Sequence, residues 1–322
     1  MRCAFDRLGS DRGTWLSRSV KALVTGGAGF IGSHVTDALV AGGDEVHVVD
    51  DLSSGRLANV EEALERGAEL HTEDVTDATW MAELAAIIRP DVVFHLAAQI
   101  DVRRSVDDPA FDASVNVVGT ATVLDAARRS AARRVVLAST AAVYGRPAAV
   151  PTTEASPAEP LSPYGASKAA AESYIALYAR LHGVSTLALR MANVYGPRQD
   201  PHGEAGVVAI FSAAATAGRP AVVFGDGLQT RDYVHVSDVA AAFVAAGRST
   251  VSGALNISTG RETSVLQVAE ALGLPVEHAP RRRGEIERSC LDPAAARRSL
   301  GWRARTGLRE GLGRQRAAVP VG

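Results

Sequence analysis

The segment VKALVTGGAGFIGS, residues 20–33, constrains this chain more than any other. An apolar run suited to a buried strand passes into three glycines spaced three apart, Gly26, Gly29 and Gly32, and then into a helical pattern. Strand, glycine turn and helix in that order read as the phosphate turn of a dinucleotide fold. Gly26 allows the tight turn, Gly29 lets the backbone approach a pyrophosphate, and Gly32 lets helix and strand pack closely, while helix N–H groups face the phosphates. Glycines alone would also suit a merely tight turn, so the next strand decides. It ends in VHVVDD, which puts Asp50 18 residues beyond Gly32, where an acidic side chain accepts hydrogen bonds from the adenosine ribose. A carboxylate there would repel a 2′-phosphate, so NAD is expected rather than NADP. Asp51 reads better as a cap of the following loop. Asp74, ending the third strand, is either a turn residue or an adenine contact.

From Val20 onward apolar runs alternate with amphipathic stretches: a helix over 30–41, EVHVVD, a helix near 56–66, AELHTED, DVVFHLAA, a helix over about 112–129, RRVVLAS, a helix over about 162–182, and VSTLALR. This order predicts an α/β fold, a Rossmann-like doubly wound parallel sheet whose strands are buried on both faces and so read as continuous apolar runs. After residue 190 the rhythm loosens. AVVFG, RDYVHV and ALNIS read as short strands, mixed with helices near 205–217, 237–246 and 263–271. The expected division is a NAD-binding domain over 20–190 with later contributions from about 232–258, and a smaller substrate-binding lobe from 191–231 and 259–322. Residues 1–19 show no periodicity and are expected to be a disordered extension, the alternative being a short ordered one packed on the surface.

A chain of 322 residues carrying a formal charge of -2 and no long basic run is not built primarily for nucleic acid or an anionic membrane surface. A small-molecule partner is expected. Cys3 and Cys290 are the only cysteines, so no disulfide framework or cysteine metal site is legible and no metal is expected. No stretch approaches the roughly 20 apolar residues of a membrane span, and the N-terminus lacks the apolar core of a signal peptide, so a reducing cytoplasmic setting is expected.

PYGASKAAAE places Tyr164 and Lys168 four apart at the start of a long helix, on one face. A free tyrosine, with a pKa of about 10, is a poor base near neutrality, and a neighbouring ammonium favours its phenolate. A chance surface pair is disfavoured by composition: the chain has 32 arginines and only two lysines, Lys21 and Lys168. Arginine would be too bulky and too fixed in charge for the task.

Taken together, TGGAGFIGS, HLAA, STAAVYG, YGASK, LRMANVYGPRQDP and GDGLQTRDYVHVSD resemble the extended short-chain dehydrogenase/reductase family, in particular its UDP-glucose 4-epimerase branch, from about residue 20 to the C-terminus. The resemblance implies a catalytic trio of Thr140, Tyr164 and Lys168. It implies cofactor contacts from Phe30, Ile31, Val75, Leu96, Ala97 and Ala98 beside the glycines, Asp50 and Asp74. It implies a UDP-sugar substrate held by Thr140, Tyr144, Asn193, Arg231 and Arg282, with Phe224 on the uracil and Ser289, seven residues beyond Arg282, beside the sugar C2. A homodimer built on the helices at about 112–129 and 162–182 is also implied. Two positions depart from the family pattern: Met191 replaces a common aromatic, and Arg283 replaces a frequent proline.

In STAAVYG, residues 139–145, the alanines are informative. An epimerase needs one oxidation and its reversal, with Tyr164 exchanging the O4 proton and Thr140 hydrogen-bonding the same oxygen. Related dehydratases carry an acidic pair after this threonine, and related decarboxylases keep a glutamate there. Ala141 and Ala142 transfer no protons, which leaves redox chemistry without elimination. A reductase or dehydratase on another nucleotide sugar remains the enzymatic alternative. A non-catalytic dinucleotide sensor is the other, and such proteins typically lose the tyrosine or the lysine.

Overall fold

The computed structural model describes residues 19–201, 206–282, 284 and 286–317. The expected N-terminal extension thus lies outside the described residues apart from Ser19, whose hydroxyl donates to the Gly43 carbonyl at 2.6 Å.

Strand and helix alternate through the first half: β1 (Lys21–Thr25), α1 (Phe30–Ala41), β2 (Glu45–Val49), α2 (Glu61–Glu65), β3 (Glu69–His71), α3 (Ala78–Ile88) and β4 (Val92–His95). Three consecutive helical segments follow, α4 (Val102–Asp107), α5 (Pro109–Ala113) and, after a π-helical turn at Ser114–Val118, α6 (Gly119–Arg129). Then come β5 (Arg134–Thr140), α7 (Pro163–His182), β6 (Ser185–Met191) and β7 (Asn193–Tyr195). The later part holds α8 (Val207–Thr216), β8 (Ala221–Phe224), β9 (Thr230–Arg231), β10 (Tyr233–His235), α9 (Val236–Gly247) and β11 (Gly253–Ile257). It closes with β12 (Thr263–Ser264), α10 (Val265–Leu272), β13 (Val276–Ala279), β14 (Arg288–Ser289), α11 (Ala294–Leu300) and α12 (Leu308–Ala317).

Seven strands form one sheet in the order β11-β6-β5-β4-β1-β2-β3, every neighbouring pair parallel. Parallel strands need helical crossovers, and these cover both faces. On one face Val35 and Leu39 of α1 and Val239, Phe243 and Ala246 of α9 pack against Val24, Val48 and Phe94. On the other, Met81 and Leu84 of α3, Val123 and Leu124 of α6 and Ile175 of α7 cover Leu23, Val93 and Leu137. Strand order reverses between β1 and β4, so a crevice opens beyond their C-terminal ends.

The smaller lobe has its own core, which includes Tyr195, Phe211, Val223, Tyr233, Val268 and Leu312. Its strands make three small sheets, β7 with β10, β12-β9-β14, and β8 with β13. RDYVHV, expected as one strand, is divided at Asp232 between two of these sheets. The buried Asp232 carboxylate accepts from Thr259 N (2.9 Å), Thr259 Oγ1 (2.6 Å) and Gly260 N (2.9 Å), which fastens the chain where it changes sheet. ALNIS, as β11, leaves the lobe and extends the main sheet beside β6.

Candidate active site

The glycine turn meets the exit of β4. At Gly26, with φ +69°, a Cβ would lie 2.5 Å from Ala97 N and 2.7 Å from the Leu96 carbonyl carbon; at Gly32 it would lie 2.0 Å from Gly26 O. Neither site has room for a side chain, so helix, turn and the Leu96–Ala97 backbone close on one another. The same contact brings two separately predicted segments together, assisted by Leu96 N donating to Thr25 O at 2.9 Å. Gly29 is the N-cap of α1, and no side chain caps the first turn that begins at Phe30, Ile31 and Gly32. An uncapped helix start at the crevice suits a diphosphate.

Asp50 is buried, its Oδ2 accepting from Ala28 N at 2.9 Å and its Oδ1 from Leu52 N at 2.9 Å. Burial raises its pKa, and the two backbone bonds oppose that rise. The carboxylate therefore braces the glycine turn from the β2 side, and its remaining lone pairs suit a ribose hydroxyl. Asp51 caps its own loop, receiving Ser53 N at 3.0 Å. Asp74 is exposed and accepts from Thr76 N at 2.8 Å, which is the turn-residue alternative. Val75 beside it is buried in the core under α3. These residues fit a dinucleotide laid across the β1–β4 crevice.

The second half of the site stands where β5 ends and α7 begins. Ser162 caps α7 through Gly165 N at 3.1 Å, and Pro163 occupies its first turn. Gly165 packs so closely on the turn after β5 that a Cβ would lie 2.8 Å from Ala142 O. Tyr164 is thereby set beside Thr140, whose hydroxyl also receives Ala142 N at 3.1 Å. One turn on, the buried Lys168 donates from Nζ to Ala138 O at 3.2 Å. Burial lowers its pKa to about 8, opposed by the carboxylates of Asp112 and Glu172. Burial pushes Tyr164 up to about 12, with the Thr140 hydroxyl pulling the other way.

Tyr144 differs from its expected role. It is 2 % exposed, donates to Asn256 Oδ1 at 2.8 Å and receives Arg190 Nη1 at 2.9 Å, so its hydroxyl is engaged inside the protein. Arg190 also pairs with Glu172, Nη2 to Oε2 at 2.6 Å, and Ser139 donates to the same carboxylate. This network under the trio went unread in the sequence. The four-residue step from Lys168 to Glu172 in KAAAE was the available signal. Likewise unread were Asp112, which accepts from Gln99 Nε2 at 2.8 Å, and Asn116 of the π-helical turn, which donates to Ser167 Oγ at 3.0 Å.

In the smaller lobe, the Arg282 guanidinium carbon sits 3.8 Å from the centroid of the Phe224 ring, joining two residues 58 positions apart. Ser289 lies in register with Arg231 across β14 and β9, and Arg231 Nη1 donates to Ile286 O at 2.8 Å. Asn193 is exposed on β7 beside Tyr233. Arg283 lies outside the described residues, while Met191 is buried in the main core.

A doubly wound parallel sheet with a glycine turn at its reversal point defines a dinucleotide-binding enzyme fold. The chain belongs to the NAD dependent epimerase/dehydratase family, whose sequence model matches residues 22–258. It is 50% identical over 302 residues to the UDP-glucose 4-epimerase of Mycolicibacterium smegmatis, covering 91% of this chain and 96% of that one. Among solved structures it is similar to the Thermotoga maritima UDP-glucose 4-epimerase with UDP-glucose, with a TM-score of 0.88 and 42% identity over 92% of this chain and 97% of that one. The UDP-N-acetylglucosamine 4-epimerase of Methanobrevibacter ruminantium, in complex with UDP-N-acetylmuramic acid, matches with a TM-score of 0.89 and 30% identity over 94% and 98% of the two chains.

Proposed function

We propose that the protein interconverts UDP-glucose and UDP-galactose by NAD-dependent 4-epimerisation through a 4-keto sugar. The observation that carries this reading is the Thr140–Tyr164–Lys168 constellation at the sheet's crevice, followed by Ala141 and Ala142 where an elimination acid would stand. NAD, when bound, supplies a reversible acceptor for the C4 hydride, so both faces of C4 are reached without net oxidation. Tyr164 is the proton carrier for the sugar O4, removing its proton and later restoring it. Thr140 hydrogen-bonds the same oxygen and holds it at the phenol. Lys168, one turn further along α7, is held there by its bond to the β5 carbonyl of Ala138.

The glycine turn, Leu96–Ala98, Asp50 and the neighbourhood of Asp74 are assigned to the cofactor. The smaller lobe, expected over 191–231 and 259–322, is assigned to the UDP-sugar, although Met191, Ala296 and Trp302 within those bounds belong to the main core. Arg231 and Arg282 offer planar donors for the diphosphate. Phe224 offers a ring face for the uracil that Arg282 now covers, so binding would move Arg282 from ring to phosphate. Asn193 completes the diphosphate contacts. Ser289 is small enough to leave room at the sugar C2, which extends the proposed substrates to the N-acetyl forms. A cytoplasmic homodimer is also proposed, on the two-cysteine composition and on the exposed apolar stripe of α7 discussed below.

Among the described residues no helix is long and apolar enough to cross a membrane. The deciding experiment follows purified protein incubated with UDP-glucose without added cofactor, and then assays the supernatant after denaturation. UDP-galactose in the first step and NAD in the second are expected; a requirement for added NADP, or no sugar conversion at all, overturns the reading.

A further inference from the structure

Three side chains with metal-ligating atoms converge at the β2–β3 edge of the main sheet, on different strands from the catalytic trio. His47 of β2 lies opposite Glu69 of β3, and His71 follows Glu69 by two residues on the same face. His47 Nδ1 stands 3.3 Å from His71 Nε2 and 3.4 Å from Glu69 Oε2, while His71 Nε2 stands 4.0 Å from Glu69 Oε2. Ligands about 2.0–2.1 Å from a tetrahedral Zn²⁺ stand about 3.3–3.4 Å from one another. Two of the three separations have that value, and the third closes to it by a small turn of the exposed Glu69 side chain. Two imidazoles and one carboxylate are, moreover, a ligand set for borderline divalent metals, with one position left for water.

The surroundings are those of a metal-bound histidine. His47 Nε2, the ring nitrogen facing away from the cluster, lies 3.1 Å from Glu45 Oε1, and Glu45 is itself paired with Lys21 Nζ at 2.9 Å. A carboxylate on the outer N–H fixes the tautomer that presents Nδ1 as a lone pair. His47 is largely buried, and Trp80 sets its ring edge-on to His71 at 6.2 Å, so the imidazoles have little rotational freedom.

We infer that His47, Glu69 and His71 form a binding site for a divalent transition metal such as Zn²⁺, with Glu45 as the positioning residue that orients His47. The ion would clamp β3, only three residues long, to β2. His71 also accepts Asp50 N on its carbonyl at 3.2 Å, so the clamp would steady the strand end that carries the dinucleotide-facing carboxylate.

The test uses the full chain with its own cofactor, stripped of metal by a chelator and titrated with Zn²⁺ against a chromophoric competitor. One equivalent is expected to bind and to raise the unfolding temperature, because a metal held by the folded state alone stabilises it. His71→Gln should abolish that equivalent. Glu69→Gln, at an exposed position that does not threaten folding, should weaken it at least tenfold. Glu45→Gln should weaken it about 10–100-fold, the usual effect of losing an outer carboxylate. No binding by the wild type, or equal binding by wild type, His71→Gln and Glu69→Gln, would show the cluster to be a hydrogen-bonded pair of histidines and nothing more.

Discussion

Two single side chains determine most of what this site is proposed to do. Tyr164 sits beside Thr140, with burial pushing its pKa up to about 12 and the Thr140 hydroxyl pulling the other way. Tyr164→Phe keeps the ring and removes the proton; turnover is expected to fall by the ~10²- to 10⁴-fold typical of an acid/base group, with UDP-glucose still bound. Steady-state rates together with a binding titration check this, and a Phe variant at near-normal rate would move the chemistry elsewhere. Ser289 is the residue proposed to set the breadth of the pocket. The wild type should turn over UDP-N-acetylglucosamine alongside UDP-glucose, and Ser289→Tyr should lose the first while keeping the second, because a ring at that position occupies the acetamido volume. A wild type inert towards the N-acetyl sugar but active on UDP-glucose removes the size argument.

At the scale of elements, α7 has two working faces. Tyr164, Lys168 and Glu172 recur every four residues towards β5 and β6, where Glu172 engages Arg190. Tyr174, Leu177 and Leu181, spaced three and four apart, are exposed, with Leu181 at 64%. Val118 at the end of the π-helical turn and Val106 of α4 are exposed too, at 52% and 61%. An apolar helical stripe of this kind favours association, and a second copy of the same stripe is the proposed partner. Sedimentation at micromolar concentration is expected to give twice the chain mass, and Leu177→Glu with Leu181→Glu to give one; a wild-type mass of one chain removes the dimer. Alanine, prominent in α7, is also a good helix former, so its abundance carries no weight here.

For the molecule as a whole, the buried histidine between the glycine turn and α6 ties stability to pH. His95 Nδ1 lies 2.7 Å from Thr25 Oγ1 and Nε2 lies 3.0 Å from Thr120 Oγ1. Burial, and then the charge of Lys168, hold its pKa down to about 3 from an ordinary 6.5. The folded state keeps the ring neutral while the unfolded chain protonates it, so stability is full above about pH 6.5 and declines as pH falls towards 3. The slope from this one group reaches about 1.4 kcal/mol per pH unit. Denaturant midpoints between pH 7 and pH 5 should drop in the wild type and drop less in His95→Gln; equal slopes would exclude His95 as the source.

How much of this was legible in the sequence follows from how local each signal is. The glycine turn, the Asp50 position, the Tyr164–Lys168 step and the alternation of buried runs each lie within a few dozen residues, and backbone sterics or helical spacing express them directly. They were enough to determine a parallel doubly wound sheet, its NAD crevice and the Tyr164–Lys168 pair as expectations, whereas the place of Thr140 beside them was implied by the family resemblance. What the sequence left open depends on contacts between distant segments. Arg282 over Phe224, Glu172 under Arg190, Tyr144 turned inward onto Asn256, and the division of RDYVHV at Asp232 are all decided by which strands become neighbours. The convergence of His47, Glu69 and His71 is of the same kind, since one residue of slip between β2 and β3 would send His47 and Glu69 to opposite faces. Periodicity along one chain specifies which face a residue takes, whereas strand order and register specify what it meets there, and only the folded sheet contains that information.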